Sequence, residues 1–166
     1  MKNICTIDVL RHGDTPLTGL FCGSSDPELT EKGWADLSRQ TSGIQWDRVV
    51  SSPLQRCRKF SETLSPTLQI EKRFQELDFG AWEGMSTQEV WDDDQTALTA
   101  FWEDPTASPP PGGEPWAILC KRASEAFEEL ARAAKGERVL LVNHAGVMRS
   151  LLVTQLGLLL DRKGVV

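Results

Sequence analysis

The 166-residue sequence contains no tyrosine and only two histidines, His12 and His144. It also lacks an excess of basic residues, because the formal net charge is −6 and the isoelectric point is near 5.0. Nucleic acids and anionic membrane surfaces attract proteins with a positive field, which this composition does not supply. We therefore expect neither nucleic acid nor a membrane as a partner, and any phosphate-bearing ligand must be held by locally placed cations.

Cysteine is scarce and scattered along the chain. No C-x-x-C pair occurs, and no cysteine stands at metal-ligand spacing from a histidine. We expect reduced, buried thiols, no metal site and no cofactor. The four cysteines are Cys5, Cys22, Cys57 and Cys120.

The sequence shows no hydrophobic run of the length that a membrane-spanning helix needs. The apolar stretch at residues 151–160 is too short to cross a bilayer and is interrupted by Gln155. The first residues lead directly into a strand-like run with no leader pattern. We expect a cytoplasmic protein.

Hydrophobic residues make up 40% of the chain, enough for one compact domain with a proper core. Short runs rich in Ile, Val and Leu at 4–10, 46–51 and 138–143 predict parallel strands. Helical patterns alternate with these runs. The sequence predicts one α/β domain over residues 1–166, built as three α/β/α layers around a mostly parallel sheet.

Capping signals predict where the helices begin. Thr30 precedes one helix, and Ser52 with Pro53 supplies a cap and a first-turn proline for a second helix through Leu64. The segment 86–89 has the capping-box pattern of a third helix.

A proline- and glycine-rich stretch at 105–115 cannot form regular structure and is predicted to be a surface loop or lid. The long helix that follows it is predicted to cover about 116–134 and to end at Lys135-Gly136.

Both histidines directly follow strand-like runs. A single histidine at such a place is often only a loop residue that hydrogen-bonds a carbonyl. Here, however, Arg11 and Gly13 flank His12, and Gly146 follows His144, which allows the backbone to approach a ligand closely. The carboxyl ends of parallel strands face a common crevice, so neighbouring strands would bring the two rings together. We predict a two-histidine active site.

The residues around His12 suit phosphoryl transfer. A neutral imidazole can attack phosphorus while the adjacent Arg11 guanidinium neutralises the nonbridging oxygens. Arg56, one turn into the helix after Ser52, is a second cation near a helix N-terminus that favours an anion. The residues alone do not decide whether His12 or His144 is the nucleophile.

Six segments along the chain form an ordered set of motifs. They are Arg11-His12-Gly13-Asp14-Thr15, Leu29-Thr30-Glu31-Lys32-Gly33, Ser52-Pro53-Leu54-Gln55-Arg56-Cys57, Glu76-Leu77-Asp78-Phe79-Gly80-Ala81-Trp82-Glu83-Gly84, Gly112-Gly113-Glu114 and Asn143-His144-Ala145-Gly146. This is the order found in the histidine phosphatase superfamily, and the chain resembles its phosphoglycerate mutase-like branch. The resemblance covers nearly the whole chain and implies a phosphoglycerate mutase-like fold.

The resemblance implies a role for each residue at the site. His12 becomes the phosphohistidine, while Arg11, Arg56 and His144 form the phosphate pocket around it. Covalent catalysis requires an acid that protonates the leaving group, and the family pattern assigns this role to Glu76. The catalytic residues are thus expected to be His12, Glu76 and His144.

Further positions complete or depart from the family pattern. Gly23 and Thr18 are expected to bind phosphate, although relatives often carry asparagine in place of Thr18. Glu83 competes with Glu76 for the acid role and is expected to be a structural or solvated carboxylate. Pro115 stands where serine is common, and the chain stops where many relatives continue into another strand.

The sequence constrains the identity of the substrate less tightly than it constrains the reaction. Four tryptophans in or near 82–116 either pack in the core or stack on a planar ligand. The short chain and the 79–83 stretch are similar to the α-ribazole phosphatases, which implies α-ribazole 5′-phosphate as substrate in assembly of the cobalamin nucleotide loop. A broad-specificity phosphatase, a phosphoglycerate mutase and a non-catalytic phosphate-ligand binding protein stay open as alternatives. A small phosphorylated metabolite is the expected partner, and a homodimer is compatible with the sequence.

Overall fold

A computed structural model describes residues 4–158 and contains one parallel sheet of four strands. The strands are β1 (Thr6–Arg11), β2 (Arg48–Ser51), β3 (Gln69–Ile70) and β4 (Arg138–Asn143). Their order across the sheet is β1-β4-β2-β3. Because β1 and β4 pair directly, with Arg11 opposite Asn143, the residues that follow them emerge side by side.

Four α-helices lie between successive strands, and a fifth follows the last strand of the described range. Two single-turn 3₁₀ helices, Lys72–Phe74 and Gly80–Trp82, lie between the second and third α-helices. The α-helices are α1 (Glu31–Thr41), α2 (Gln55–Glu62), α3 (Thr87–Glu103), α4 (Trp116–Ala133) and α5 (Ala145–Leu156).

The side chains of β4 alternate between two hydrophobic clusters. Val139 and Leu141 pack in the larger cluster with residues of α4 and α5. Leu140 and Val142 face the other side, where they pack with Cys57 of α2. Successive residues of a strand point to opposite faces, so helices cover both faces of the sheet. The predicted three-layer α/β/α fold is confirmed.

Two predicted caps are present. The Thr30 side chain accepts a hydrogen bond from Gly33 N–H at 3.0 Å and begins α1. Ser86 and Glu89 form the reciprocal capping box at the start of α3. This helix is bent at Asp94, whose backbone is not helical.

The predicted start of the second helix is wrong. Helix α2 begins at Gln55 after Leu54, not after Ser52. The Ser52 hydroxyl accepts from Leu54 N–H at 3.3 Å and also lies 2.8 Å from the His144 ring. The Ser52-Pro53 pair therefore forms a turn at the end of β2, and its hydroxyl is used at the site.

Two elements were not predicted. Strand β3 has only two residues, both exposed, which is too short for a recognisable pattern. Helix α5 follows His144 directly and has apolar residues around much of its circumference, so no amphipathic period marks it. This helix contributes Gly146 and Arg149 to the site described below.

The connection from α3 to α4 contains no helix or strand, as predicted for 105–115. All four cysteines are free thiols, but only Cys57 is fully buried, which corrects the expectation of four buried thiols. Within the described range, no helix combines the length and apolar character that a bilayer crossing requires. The question of a further edge strand falls on residues 159–166, which lie outside the described residues.

Candidate active site

The two histidines lie together at the carboxyl edge of the sheet, as the sequence predicts. The centres of the His12 and His144 rings are 5.2 Å apart. The His12 N–H continues the strand pairing by donating to the Asn143 carbonyl at 3.0 Å. The neighbouring positions of β1 and β4 thus bring both rings into one site.

A hydrogen bond to the backbone fixes the protonation pattern of His12. Its Nδ1 lies 2.8 Å from the Gly13 carbonyl oxygen. A carbonyl oxygen can only accept, so Nδ1 carries the proton and Nε2 of the neutral ring keeps its lone pair. Gly13 is required here because a Cβ would lie 2.5 Å from the Gly33 carbonyl oxygen.

His12 is neutral at physiological pH. Burial, followed by the positive charges of Arg56 and Arg11, lowers its pKa to about 4, and the bond to Gly13 opposes this only in part. A neutral imidazole with a free Nε2 is the nucleophilic form of histidine.

His144 is fully buried and immediately precedes α5. Its Nε2 lies 2.8 Å from the Ser52 hydroxyl and 3.5 Å from the Cys57 sulfur. Burial and the nearby Arg56 charge hold the pKa of His144 well below its usual range. This ring is neutral too, and Ser52 at the end of β2 fixes its orientation.

The Arg56 guanidinium is also fully buried. Its Nη atoms donate to the carbonyl oxygens of Cys22 at 3.2 Å, Gly23 at 3.0 Å and Ser25 at 2.6 Å. Its Nε has no hydrogen-bond partner within the described residues. Arg56 therefore organises the 22–25 loop and its positive charge acts on both histidines, while Arg11 lines the cleft itself.

Glu83 anchors the same loop from the opposite side. Its carboxylate accepts hydrogen bonds from the N–H groups of Gly23, Ser24, Ser25 and Phe79 at 2.8–3.2 Å, and from the Ser25 hydroxyl at 2.6 Å. Burial opposes ionisation, but the hydrogen bonds prevail and lower the pKa of Glu83. Glu83 is thus an ionised structural carboxylate, which agrees with the structural role expected for it.

Gly23 and Thr18 are already engaged within the protein. The Gly23 N–H is bound by Glu83, and a Cβ on Gly23 would lie 1.8 Å from the Leu77 carbonyl oxygen. The Thr18 hydroxyl lies in the cleft wall and accepts from Thr15 N–H at 3.1 Å. Their phosphate-binding roles stay predictions.

Glu76 reaches the cleft from the segment before the second 3₁₀ helix. Its carboxyl oxygens accept from Gly146 N–H at 3.0 Å and from Leu77 N–H at 2.9 Å. Burial nevertheless raises the pKa of Glu76. Gly146 is needed at this contact, since a Cβ there would lie 2.3 Å from the Glu76 carboxyl. A carboxyl that holds its proton longer than usual suits a general acid.

The cleft beside these groups has a volume of about 220 Å³. Arg11, His12 and Glu76 line its polar end. The rest of the wall combines polar residues, Thr15, Thr18 and Arg149 among them, with apolar and aromatic ones: Leu17, Leu20, Phe21, Leu77, Phe79, Phe101 and Trp116. Trp116 belongs to the hydrophobic core and is only 4% exposed, which is the core role that the sequence left open beside ligand stacking.

Sequence reasoning missed Arg149, which also lines the cleft. It is half-buried on α5, and burial lowers the pKa of its guanidinium. Within residues 4–158 it makes no hydrogen bond or ion pair that would occupy it. The available signal was helical spacing, because residues four apart share one helix face and Ala145 lines the cleft too.

Comparison with curated proteins finds relatives of differing length. The chain is 32% identical to a bifunctional protein of Mycobacterium tuberculosis over 87% of this chain but only 42% of that protein. It therefore spans about two fifths of that relative. It is 33% identical to a 2,3-bisphosphoglycerate-dependent phosphoglycerate mutase of Rhizobium etli, over 88% of this chain and 78% of the mutase.

Solved structures confirm the fold. The YhfR protein of Bacillus stearothermophilus superposes with a TM-score of 0.84 at 28% identity, covering 95% of this chain and 82% of that one. The α-ribazole phosphatase of Shigella flexneri superposes with a TM-score of 0.78 at 23% identity, covering 92% of this chain and 80% of that one.

A family model covers nearly the whole chain. It is the model of the histidine phosphatase superfamily (branch 1), and it matches residues 7–163, which include all six segments that carry the sequence resemblance. The paired histidines, the buried arginine and the enclosed carboxyl described above lie within this match. The chain therefore belongs to branch 1 of the histidine phosphatase superfamily.

Proposed function

We propose that the protein is a phosphomonoesterase that hydrolyses a small phosphorylated metabolite through a phosphohistidine at His12. The observation that carries this proposal is the 2.8 Å hydrogen bond from His12 Nδ1 to the Gly13 carbonyl. It leaves Nε2 of a neutral ring free to attack. The Nε2 of His144 lies within hydrogen-bond distance of Ser52, which favours His12 as the nucleophile.

The reaction proceeds in two transfers. The Nε2 lone pair forms a bond to phosphorus as the P–O bond of the ester breaks, and the Glu76 carboxyl gives its proton to the leaving oxygen. Glu76, now a carboxylate, takes a proton from the water that attacks the phosphohistidine. The P–N bond breaks, its electrons return to Nε2, and inorganic phosphate leaves. Arg11, which lines the cleft, stabilises the phosphoryl oxygens in both transfers. Arg56 and His144 are fully buried and do not line the cleft, so Arg56 acts on these oxygens through its positive charge, and phosphate binding by His144 stays a prediction.

Within this class we propose α-ribazole 5′-phosphate as the substrate. The apolar and aromatic residues within the cleft wall suit a planar nucleoside-like leaving group. Resemblance of the 79–83 stretch to α-ribazole phosphatases and the superposition on the Shigella flexneri enzyme agree with this choice.

One observation favours a second candidate, a phosphoglycerate mutase. Arg149 supplies a further cation in the cleft, and a substrate carboxylate could bind to it. The Rhizobium etli relative is a phosphoglycerate mutase by name. A mutase would depend on a bisphosphate primer and would release little free phosphate.

A substrate panel separates these candidates. Free phosphate is measured from α-ribazole 5′-phosphate, 3-phosphoglycerate, mononucleotides and p-nitrophenyl phosphate, with EDTA present and His12→Ala as the blank. We expect kcat/KM for α-ribazole 5′-phosphate to exceed the others by at least about tenfold, which corresponds to about 1.4 kcal/mol. Similar rates across the panel would indicate a general phosphatase, and release of phosphate by the His12→Ala blank would contradict the nucleophile assignment.

The acid role of Glu76 has its own test. Glu76→Gln removes the transferable proton and should slow the hydrolysis of alkyl phosphates far more than that of p-nitrophenyl phosphate, whose leaving group needs little protonation. Equal loss on both substrates would show that Glu76 is not the acid.

A further inference from the structure

The Gly112-Gly113-Glu114 segment belongs to the family pattern, yet the proposed reaction does not use it. In the structure it packs against the backbone just after Glu76. The Glu114 N–H donates to the Asp78 carbonyl at 2.8 Å. Gly113 lies so close that a Cβ there would be 2.5 Å from the same carbonyl oxygen. The two backbone segments are in direct contact, so Glu114 is held next to the chain that carries Glu76.

Arg122 on α4 joins these segments. Its Nε and Nη2 donate to the two carboxylate oxygens of Glu114, each at 2.7 Å. Its Nη1 donates to the carbonyl oxygens of Arg73 and Gln75, both at 2.7 Å, and Nη2 also donates to the Glu76 carbonyl at 3.1 Å. A guanidinium has five N–H donors, and every donor of Arg122 is used.

These contacts replace secondary structure where it is missing. Residues 75–79 belong to no helix or strand, so no regular ladder fixes their carbonyl groups. Arg122 binds the carbonyls of the two peptide units that flank the Glu76 Cα, those of Gln75 and Glu76, and its side chain is only 20% exposed. The Glu76 carboxyl accepts hydrogen bonds from the Gly146 and Leu77 N–H groups. The carboxyl can keep these bonds only if the main chain of Glu76 does not move.

We propose that Arg122 is a positioning residue, which holds the main chain of Glu76 so that its carboxyl can protonate the leaving group. This inference rests on the proposed function, because it assigns Arg122 to the step in which Glu76 acts. Glu114 completes the arrangement by orienting the guanidinium through a bidentate ion pair.

The test compares two leaving groups in Arg122→Lys. Lysine keeps the positive charge, but its single ammonium cannot bind three carbonyls and both carboxylate oxygens at once. The ratio of the alkyl phosphate rate to the p-nitrophenyl phosphate rate should fall by at least about tenfold, as expected when proton donation is impaired. The matched control is Arg132→Lys on the same helix, whose exposed side chain lies 3.8 Å from Glu128 and should leave this ratio unchanged.

The pH profile supplies a readout that loss of stability alone would not move. Alkyl phosphate hydrolysis should decline on the alkaline side as Glu76 loses its proton, and burial keeps that pKa above its ordinary value. A mispositioned Glu76 meets more water, so the alkaline limb of Arg122→Lys should shift to lower pH. An unshifted limb would contradict the positioning role.

A double variant separates this proposal from the proposed function. If Arg122 acts through Glu76, adding Arg122→Lys to Glu76→Gln should cause no further loss on alkyl phosphates. Additive losses, with Glu76→Gln alone still discriminating between leaving groups, would overturn the Arg122 proposal only. No discrimination in Glu76→Gln would instead overturn the acid assignment. If Arg122→Lys does not fold, Glu114→Gln, which weakens the same ion pair, takes its place in every comparison.

Discussion

At the scale of the residue, one backbone carbonyl decides which ring nitrogen of the neutral His12 carries the proton. The Gly13 oxygen accepts the Nδ1 proton at 2.8 Å and so leaves Nε2 unprotonated. We predict that nitrogen NMR of the free protein shows His12 as a neutral ring protonated on Nδ1 at pH 7. The sequence has only two histidines, so His144→Gln assigns the remaining signals to His12. A ring protonated on Nε2 would contradict the proposed direction of attack.

Glu83 offers a second residue-scale prediction. Its carboxylate accepts hydrogen bonds from five donor groups, four in the 22–25 loop and one at the Phe79 N–H. Glu83→Gln keeps the shape but turns one acceptor into a donor that faces N–H groups. We expect a loss of about 2–3 kcal/mol in the free energy of unfolding, measured with urea, and a raised KM.

The control for this variant is Glu103→Gln, a change at an exposed residue at the end of α3, which should stay within about 0.5 kcal/mol of the wild type. If Glu83→Gln were as stable as this control, the anchoring role of Glu83 would be wrong.

Residue identities in the site were more predictable than their contacts. The sequence pointed to His12, His144, Arg11 and Glu76 because strand ends and family segments mark these positions. It gave no sign that the Nη atoms of Arg56 donate to backbone carbonyls, because these bonds depend on how the 22–25 loop folds against Arg56. Contacts between residues some thirty positions apart in sequence leave no local pattern to read.

At the scale of the element, the capping box of α3 is a local device with a local effect. Ser86 Oγ accepts from Glu89 N–H at 3.2 Å, and the Glu89 carboxylate accepts from Ser86 N–H at 2.7 Å. Ser86→Ala removes the first bond and should lower the free energy of unfolding by about 1 kcal/mol. Catalytic rates should not change, because the cap lies outside the cleft.

Gln88→Ala is the matched control for Ser86→Ala, because Gln88 lies in the same first turn but makes only an exposed bond to Asp92. We expect its stability to stay within about 0.5 kcal/mol of the wild type. Equal destabilisation of the two variants, measured by urea unfolding, would mean that the cap itself contributes little.

Elements with their own chemical signals were predicted well, and the others were not. Caps at Thr30 and Ser86 mark helix starts because side-chain oxygens satisfy free N–H groups there. The same reasoning failed at Ser52, whose hydroxyl serves His144 instead of a helix. A serine whose hydroxyl is used at the active site looks like a helix cap in the sequence. Its real contact, with His144 at the end of the neighbouring strand β4, is visible only in the structure.

At the scale of the whole molecule, the order of the strands makes the site. Residues 12 and 144 are far apart in sequence, yet β1 and β4 pair in register and deliver them to the same edge. The prediction that the histidines meet needed only parallel strands that are neighbours. The order β1-β4-β2-β3 itself could not be read from the sequence, because similar Ile- and Val-rich runs can pair in several orders.

The site also makes the stability of the whole molecule depend on pH. His12 titrates near its ordinary pKa of 6.5 in the unfolded chain but at about 4 in the folded protein. The unfolded chain therefore binds this proton first, so stability is full above pH 6.5 and falls as the pH drops towards 4. The shift from 6.5 to about 4 corresponds to a loss of at most about 3.4 kcal/mol, and solvent screening of the partly exposed ring lowers this figure.

His12→Gln isolates this contribution, because every other titrating group is shared with the wild type. Urea unfolding from pH 7 to pH 4 should show a smaller loss of stability in His12→Gln than in the wild type, with the difference developing below pH 6.5. His144 is left in place in both proteins, and burial and the Arg56 charge, the two largest causes of its lowered pKa, are unchanged by the substitution. Identical pH dependence in the two proteins would mean that the fold does not hold His12 neutral. The proposal that His12 is a neutral nucleophile in the free protein would then be wrong.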